Sequence, residues 1–328
     1  MTEPAFNFST LEPDAILDAL WDSGIRVESG LTALNSYENR VYQFSDEDKQ
    51  RFVVKFYRPQ RWSAAQILEE HRFACDLNND EVPVAAPLTL NNNTLLTHNG
   101  FMFAVFPSMG GRQYETDNLD QLEWVGRFLG RLHQSAGKSA FQERPKIGLQ
   151  EYIYEPQQHL KQCELIPKNL RFSFTAALER LIVTLEKCWH TQWQPLRLHG
   201  DCHPGNILWR DGPLFVDLDD ARTGPAIQDL WMLVSGDKQE QRLQWEIMLE
   251  AYQEFCEFDV HELTLIESLR AMRMVYYLAW VARRWQDPAF PGSFPWMTQE
   301  DFWHRQIALF TEQERLLREP PVRMIPCF

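Results

Sequence analysis

The 328-residue sequence is poor in positive charge. It contains 32 lysines and arginines against 46 aspartates and glutamates, so its formal net charge is −14 with the histidines neutral. Proteins that bind nucleic acids usually carry a basic surface, because the neutralisation of phosphates supplies much of their affinity. This chain has no overall excess of basic residues, and we therefore expect no nucleic-acid partner.

Long apolar runs and paired cysteines are also missing from the sequence. No uncharged apolar run approaches the roughly 18 residues that span a bilayer, and the N-terminal residues show no basic start followed by an apolar stretch. The six cysteines are scattered and form no C-x-x-C pair, which argues against a zinc ribbon or a redox dithiol. We expect a reduced, cytoplasmic, monomeric protein that does not associate with membranes.

The residues that are abundant describe a packed protein of about two domains. Hydrophobic residues make up 44% of the chain and aromatic residues 13%, a composition that disordered chains do not have. A length of 328 residues fits about two domains at roughly 150 residues each. The apolar pattern changes near Gly110 and Gly111, where a hinge would be natural. We predict an N-terminal domain of residues 1–109 and a C-terminal domain of residues 110–328.

The N-terminal region has the pattern of an antiparallel sheet with one embedded helix. Helix formers between residues 63 and 77 place apolar side chains on one face. The dipeptide Asn99-Gly100 lies between two apolar segments, which is a strong signal for a hairpin. Strands are predicted at residues 31–34, 41–44, 51–57, 94–97 and 101–106.

The region after Gly111 is mostly helical, with one interruption. Apolar residues repeat every three or four positions and predict helices near residues 122–132, 174–185, 243–258, 262–284 and 299–317. Short extended segments interrupt them at residues 196–198, 207–210 and 214–218, and the turn dipeptide Asp211-Gly212 joins the last two. The sequence therefore predicts an α+β protein whose helical second domain holds a small hairpin.

The densest run of chemically active side chains surrounds this hairpin. It reads His-Gly-Asp-Cys-His-Pro-Gly-Asn over residues 199–206 and Val-Asp-Leu-Asp-Asp over residues 216–220. Carboxylate and amide oxygens are hard ligands suited to Mg²⁺, which usually shares its shell with substrate phosphates. In phosphoryl transfer, Asp201 could accept the proton of an attacking hydroxyl while Asn206 and Asp217 hold the metal on the phosphates.

Two simpler interpretations compete with this one. His199, Cys202 and His203 could form a zinc site, but two of them are adjacent and no second cluster supplies a fourth ligand. Asp201 and Asn206 could merely cap turns, as these residue types often do. The acidic residues that follow across the hairpin make turn capping the weaker explanation.

The loop from His199 to Leu208 resembles that of the aminoglycoside phosphotransferase and choline kinase branch of the protein-kinase-like fold. The resemblance covers most of the chain. It implies a bilobal fold with a small antiparallel nucleotide-binding lobe and a larger helical lobe that binds the acceptor. It also implies ATP and Mg²⁺ as cofactors, Asp201 and Asp217 as catalytic residues, and Asn206 and Asp217 as metal ligands.

A lysine in an apolar strand is the second feature that fits this family. Lys55 would be costly to bury unless it meets anions, although it could also lie at the solvent end of an edge strand. The resemblance implies that Lys55 reaches the ATP phosphates and pairs with a helix glutamate, for which Glu70 is the first candidate and Glu69 the competitor. Ser36 lies where the fold has its phosphate-covering loop, yet no G-x-G-x-x-G occurs.

Departures from protein kinases separate the branches of the fold. Protein kinases have Arg before the catalytic Asp, then Asp-Phe-Gly and Ala-Pro-Glu, whereas this chain has Gly200, Asp217-Leu218-Asp219 and no such final tripeptide. We therefore predict no activation loop that is switched by phosphorylation.

Three functions follow from the resemblance. The first is an ATP- and Mg²⁺-dependent kinase that phosphorylates protein serine or threonine, as part of a stress response. The second is a small-molecule kinase acting on a hydroxyl of an aminoglycoside, amino alcohol or sugar. The third is a nucleotide-binding module without catalysis, which the full set of Lys55, Asp201, Asn206 and Asp217 disfavours.

Overall fold

A computed structural model describes residues 8–321 of the chain, and its β-strands are short. They are β1 (Thr32–Ala33), β2 (Arg40–Ser45), β3 (Arg51–Phe56), β4 (Leu96–His98), β5 (Phe101–Pro107), β6 (Arg112–Gln113), β7 (Leu196–Leu198), β8 (Ile207–Trp209), β9 (Pro213–Phe215) and β10 (Arg222–Gly224). The helices are α1 (Pro13–Asp22), α2 (Ala64–Asn79), α3 (Leu119–Ala136), α4 (Glu155–Gln162), α5 (Arg171–Cys188), α6 (Lys238–Tyr252), α7 (Ile266–Arg283), α8 (Ala289–Ser293) and α9 (Glu300–Leu316).

The predicted N-terminal sheet is confirmed. Its five strands are all antiparallel and lie in the order β1-β2-β3-β5-β4, so β3 is the central strand. Asn99 and Gly100 both have positive φ, at 49° and 82°, which is the conformation that a two-residue hairpin turn requires. The predicted helix is α2, inserted in the chain between β3 and β4.

The two faces of the sheet pack against different elements because side chains alternate along a strand. Val54 and Phe56 of β3 belong to a core that includes Ile16 and Leu20 of α1. On the opposite face, Tyr57 packs with Ile67 of α2. Lys55 shares this second face, so the strand period aims the lysine toward α2 and away from the larger apolar core.

The helix α2 begins at a capping box. The Ser63 side chain accepts a hydrogen bond from the Gln66 backbone N–H, and the Gln66 side chain accepts one from the Ser63 N–H. These bonds satisfy two of the donors that a helix start leaves open. The helix buries Phe73 and Leu77, and it also buries the carboxylates of Glu69 and Glu70.

Contacts between Cα atoms divide the described chain into two units. The first comprises residues 8–145 with Arg197–Arg222 and Ile247–Glu257, and the second comprises Lys146–Leu196, Thr223–Glu246 and residues 258–321. In the second unit, α5 packs against α9, with the Phe174 ring 5.3 Å from that of Trp303 and 5.5 Å from that of Phe310. The expected domain boundary between residues 109 and 110 stays a prediction.

Several predicted helices have different ends in the structure. The helix expected at residues 243–258 is α6, which begins at Lys238 because Asp237 accepts hydrogen bonds from the backbone N–H groups of Gln239 and Glu240. The one expected at 262–284 begins as the 3₁₀ turn Val260–Leu265 and becomes α-helical at Ile266. The π-helical turn Gln150–Tyr154 and α4 have no counterpart among the sequence predictions.

Two of the composition-based expectations bear on the described residues. Cys75, Cys163, Cys188, Cys202 and Cys256 are free thiols, whereas Cys327 lies outside the described part. Within residues 8–321, the helices are too short or too polar to cross a lipid bilayer.

Gly126 and Gly130 of α3 allow its backbone to touch the end of α6. A Cβ atom on Gly126 would lie 2.5 Å from the Met248 carbonyl oxygen, and one on Gly130 would collide with the Tyr252 carbonyl oxygen. We expect Gly130→Ala to lower the free energy of unfolding by about 1–3 kcal/mol, which is the usual cost of overpacking. The loss is expected even though alanine stabilises a helix by about 1 kcal/mol relative to glycine.

Urea unfolding measures this effect, with Gly30→Ala as the control because the space around Gly30 is open. Equal stability of the Gly130→Ala and Gly30→Ala proteins would show that α3 and α6 are not in backbone contact at this site.

Candidate active site

Lys55 is buried in the central strand, one residue before the strand ends at Phe56. It lies opposite Val41 of β2 and Ala104 of β5, and its side chain is 8% exposed. Its Nζ atom is 3.0 Å from Asp217 Oδ1, 3.1 Å from Asp219 Oδ1 and 4.0 Å from Glu70 Oε1. The alternative of a lysine at the solvent end of an edge strand is therefore excluded.

The two glutamates of α2 have different partners. Glu70 is the residue at ion-pair distance from Lys55, and its other oxygen is 3.4 Å from Arg144. Glu69 instead accepts hydrogen bonds from three consecutive backbone N–H groups, at Gln142, Glu143 and Arg144. The structure thus brings Glu70, and not Glu69, to the lysine.

Burial and charge pull the pKa values of this cluster in opposite directions. Burial lowers the pKa of Lys55, but the carboxylates of Asp217, Asp219 and Glu70 outweigh it and hold that pKa well above its usual value. Burial raises the pKa of Glu70 to about 7, although Lys55 and Arg144 act to lower it. For Asp219, burial is outweighed by Arg61 and Lys55, so its pKa is lowered. Lys55 and Asp219 are therefore both charged at neutral pH.

The hairpin of β8 and β9 brings Asn206 and Asp217 side by side. Ile207 pairs with Phe215 in the register of the two strands, and the Val216 N–H donates to the Asn206 carbonyl oxygen at 3.0 Å. The strand ends at Phe215, earlier than the predicted extended segment of residues 214–218. Asp217 has a left-handed backbone, with φ 63° and ψ 66°, and a 3₁₀ turn over Leu218–Asp220 follows.

A left-handed aspartate is uncommon, and such strain concentrates at functional sites. The Asp217 side chain is 53% exposed although it pairs with a buried lysine. One carboxylate therefore faces both Lys55 and solvent.

The loop before the hairpin is tied to the turn after it. The ring of His199 bonds through Nε2 to the Val216 carbonyl oxygen at 3.0 Å. Gly200 has φ +86°, and a Cβ there would collide with the carbonyl oxygen of Asp220. This contact explains why glycine stands at the position where protein kinases have arginine. The close approach brings the backbone just before Asp201 against the turn that follows Asp217.

Asp201 and Asn206 are linked within the loop. The Asn206 side-chain amide donates to the Asp201 backbone carbonyl at 3.0 Å, and the Asp201 carboxylate is 3.5 Å from His203 Nε2. His203 Nδ1 accepts from the Gly205 N–H at 3.0 Å. His203 is thus occupied within the loop, and no cluster of three or more His, Cys, Asp or Glu residues within 8–321 is arranged to hold a metal.

A cavity of about 420 Å³ adjoins these residues, and all of its lining belongs to the first unit. It is lined by five predicted site residues, Ser36, Lys55, Glu70, Asn206 and Asp217. Its other walls are mainly apolar and include Val53, Ala85, Pro87, Phe106 and Met109. Asp201 is not among the described residues that line it.

From the sequence, Asp219 was placed in the acidic run without a role, and two arginines of the cluster were missed. Asp219 binds Lys55, and Arg61 forms ion pairs with both Asp219 and Asp220. Arg144 donates to the Asp219 carbonyl oxygen at 2.6 Å. The acidic run of residues 217–220 gave a signal that cations must lie nearby, but nothing in the sequence says which arginines they are.

Comparisons with known proteins fit this geometry. A family model described as "Phosphotransferase enzyme family" matches residues 30–266. Stress response kinase A of Escherichia coli (strain K12) is 63% identical over 328 residues, covering 100% of both chains. The serine/threonine protein kinase RdoA of Salmonella typhimurium is 62% identical over the same span, again with 100% of both chains covered. These matches confirm the resemblance that residues 199–208 carry.

A solved structure is also similar to this chain. The amicoumacin kinase hAmiN, in complex with AMP-PNP, Ca²⁺ and Ami, aligns with a TM-score of 0.72 at 18% identity and covers 95% of each chain. A likeness at this level of identity concerns the fold alone, and it confirms the predicted fold class.

The buried His71 gives the site a pH-dependent stability. Its ring bonds to the Tyr57 hydroxyl at 2.7 Å and to Thr94 Oγ1 at 2.9 Å, and burial, together with Lys55 and Arg144, lowers its pKa from 6.5 to about 3. Below pH 6.5 the imidazole of His71 is protonated in the unfolded chain but stays neutral in the folded chain. The folded state therefore loses stability as the pH falls.

Between pH 6.5 and 5 we expect the parent to lose about 1.6 kcal/mol more stability than His71→Gln, because the unfolded imidazole is half protonated at pH 6.5 and the slope reaches 1.36 kcal/mol per pH unit only below it. Urea unfolding of both proteins over this range measures the difference, and other titrating groups cancel between them. Parallel stability curves would contradict a neutral, buried His71.

Proposed function

Because the chain belongs to the phosphotransferase enzyme family, and is therefore a phosphotransferase, we propose that it transfers the γ-phosphate of ATP to protein serine or threonine hydroxyls. The reaction would depend on Mg²⁺ and serve a stress response. The observation that carries this proposal is the convergence of one buried ammonium and two oxygen donors, Lys55, Asn206 and Asp217, on a single cavity.

The cavity suits a nucleotide in size and lining. Its volume of about 420 Å³ lies within the roughly 300–1,000 Å³ of small-molecule sites, which are mostly apolar with a few polar groups. Val53, Ala85 and Phe106 would contact the base, and residues 106–109 line the cavity beside it. Ser36 and Lys55 at the polar end would bind the phosphates.

The donors at this end fit Mg²⁺. The Asn206 amide nitrogen is already bonded to the Asp201 carbonyl, so its oxygen is the atom left for a cation. The carboxylate of Asp217 is half exposed. Two protein oxygens are a typical set for Mg²⁺, because substrate phosphates and water complete its shell. When bound, the ion neutralises charge on the phosphates and holds them in one geometry.

In this reaction the protein's own residues form no covalent bond with the substrates. The acceptor hydroxyl forms a new P–O bond to the γ-phosphorus, the bond from that phosphorus to the bridging oxygen breaks, and ADP leaves. Asp201 would orient the hydroxyl and accept its proton, while Lys55 stabilises charge on the phosphate oxygens. Catalysis would come chiefly from this positioning.

Protein hydroxyls are the favoured acceptor because the relatives that match over the full length carry the names stress response kinase A and serine/threonine protein kinase RdoA. The small-molecule alternative has a fold relative named for amicoumacin. Incubation with labelled ATP, a general protein substrate and a panel of aminoglycosides, amino alcohols and sugars separates them. We expect label on protein serine and threonine; label on a small molecule alone would overturn the choice of acceptor.

Asp217 can be tested against an aspartate of similar backbone conformation. Asp211, in the turn between β8 and β9, has φ 57°, is exposed and does not line the cavity. Asparagine tolerates this conformation and removes only the charge. We expect Asp217→Asn to lower phosphoryl transfer by about a hundredfold or more, the scale of losing one preorganised electrostatic group, and to weaken Mg²⁺-dependent ATP binding.

The initial rate of ³²P transfer and calorimetric ATP binding measure both effects, and Asp211→Asn should match the parent in each. Transfer at the parental rate by Asp217→Asn would rule out its proposed role.

Asp201 should behave differently from Asp217, because it acts on the acceptor and not on the nucleotide. We expect Asp201→Asn to lower kcat by about a hundredfold or more, with the KM for ATP close to that of the parent. Circular dichroism checks that the variant is folded. A raised KM for ATP with unchanged kcat would assign Asp201 to nucleotide binding instead.

A further inference from the structure

Arg144 is a buried cation whose position the proposed reaction does not yet explain. Its side chain is fully buried, and its guanidinium carbon lies 4.2 Å from the centre of the Trp62 ring. The Nη2 atom is 2.6 Å from the carbonyl oxygen of Asp219 and 3.3 Å from that of Leu218. It is also 3.4 Å from Glu70 Oε2. One guanidinium therefore touches both α2 and the turn that follows Asp217.

Arg144 stands at the end of a short segment, residues 141–144, which we call the strap. The Glu69 carboxylate of α2 accepts the N–H groups of Gln142, Glu143 and Arg144 at 2.6, 2.9 and 2.8 Å. The Gln66 side chain donates to the Glu143 carbonyl at 3.0 Å. The strap is thus fixed to α2 along its length, and Arg144 extends from it to the turn.

We propose that Arg144 is a positioning residue, which fixes Asp217 and the Lys55–Glu70 pair relative to each other. This inference rests on the proposed function of the site. Protein kinases bring their lysine–glutamate pair and metal-binding aspartate together by moving a helix when the activation loop is phosphorylated. Here a buried arginine makes the same connection permanently, in a chain without the sequence features of such a loop.

The bonds of Arg144 suit this role better than a purely structural one. Its shortest bond is to a backbone carbonyl, so it fixes the path of the chain after Asp217 and not merely a side chain. Asp217 is held in a left-handed conformation that costs free energy and persists only when its surroundings enforce it. Without Arg144, the turn over Leu218–Asp220 would lose a charged donor, and Asp217 would sample other conformations.

Arg197 provides a matched control. It is also a buried arginine, stacks over the Phe73 ring at 4.6 Å and donates to a carbonyl, that of Ala136. It binds α2 as well, through Asp76 at 2.8 Å. It differs from Arg144 in binding the far end of the helix and not the turn after Asp217.

The test measures AMP-PNP affinity with and without Mg²⁺, together with kcat and amide hydrogen exchange of residues 217–221. In Arg144→Met we expect the gain in affinity on adding Mg²⁺ to fall about tenfold or more, the scale of a lost bond to a charged donor. Binding without Mg²⁺ should stay near the parental value, and exchange of residues 217–221 should become faster. In Arg144→Lys the gain in affinity on adding Mg²⁺ should lie between those of the parent and Arg144→Met, because lysine keeps the charge but lacks the planar guanidinium donor.

Arg197→Met should lose stability yet keep the parental gain from Mg²⁺ and the parental exchange at residues 217–221. If Arg144→Met does not fold, Arg144→Lys decides the question by the same measurements. A parental gain from Mg²⁺ in the folded Arg144 variants overturns the proposal, and so does an equal loss in Arg197→Met.

The proposed function can fail separately. If the parent transfers no phosphate to any acceptor or does not bind AMP-PNP, that function is wrong. Hydrogen exchange of residues 217–221 needs no nucleotide, and it would still decide whether Arg144 fixes the turn.

Discussion

The structure of the first unit depends on compensating one buried positive charge. Lys55 lies buried on the central strand, where an isolated ammonium would be very costly to desolvate. Three carboxylates surround it, from Glu70, Asp217 and Asp219. Because they come from α2 and from the turn after β9, the helix and the turn are both held against the sheet by the same charge.

The carboxylates in turn need compensation of their own. Removing one partner of a buried pair leaves the other charge unpaired, which is strongly destabilising. Arg61 pairs with Asp219 and Asp220, and Arg144 pairs with Glu70. The centre of the Trp62 ring lies 5.3 Å from the guanidinium carbon of Arg61 and 4.2 Å from that of Arg144. Ion pairs therefore hold the loop before α2 and the strap at the site, in addition to the apolar packing of Trp62 and of Phe141, whose ring lies 5.4 Å from that of Phe73.

Local sequence signals predict much of this fold and part of the site. The strands, α2 and the Asn99-Gly100 hairpin follow from periodicity and turn chemistry, which act over a few residues. Asp201, Asn206 and Asp217 could be grouped because the hairpin of β8 and β9 brings near neighbours in sequence together. Arg61 and Asp219 are 158 residues apart, and no local pattern distinguishes their pairing from that of any other arginine and aspartate. The left-handed Asp217 was missed for the same reason, since contacts with distant residues impose it.

This charge network explains why an aspartate stands at position 219, the second aspartate of Asp217-Leu218-Asp219. Asp217 is half exposed at 53%, whereas the Asp219 side chain is only 4% exposed. If the Asp217 carboxylate binds a metal ion on the cavity side, its attraction to Lys55 becomes weaker, because the cation neutralises part of the carboxylate's negative charge. Asp219 stays beside the ammonium at 3.1 Å and is itself held by Arg61. The lysine therefore keeps a buried counter-ion whichever partner Asp217 takes, and the fold need not rearrange when the site changes its charge.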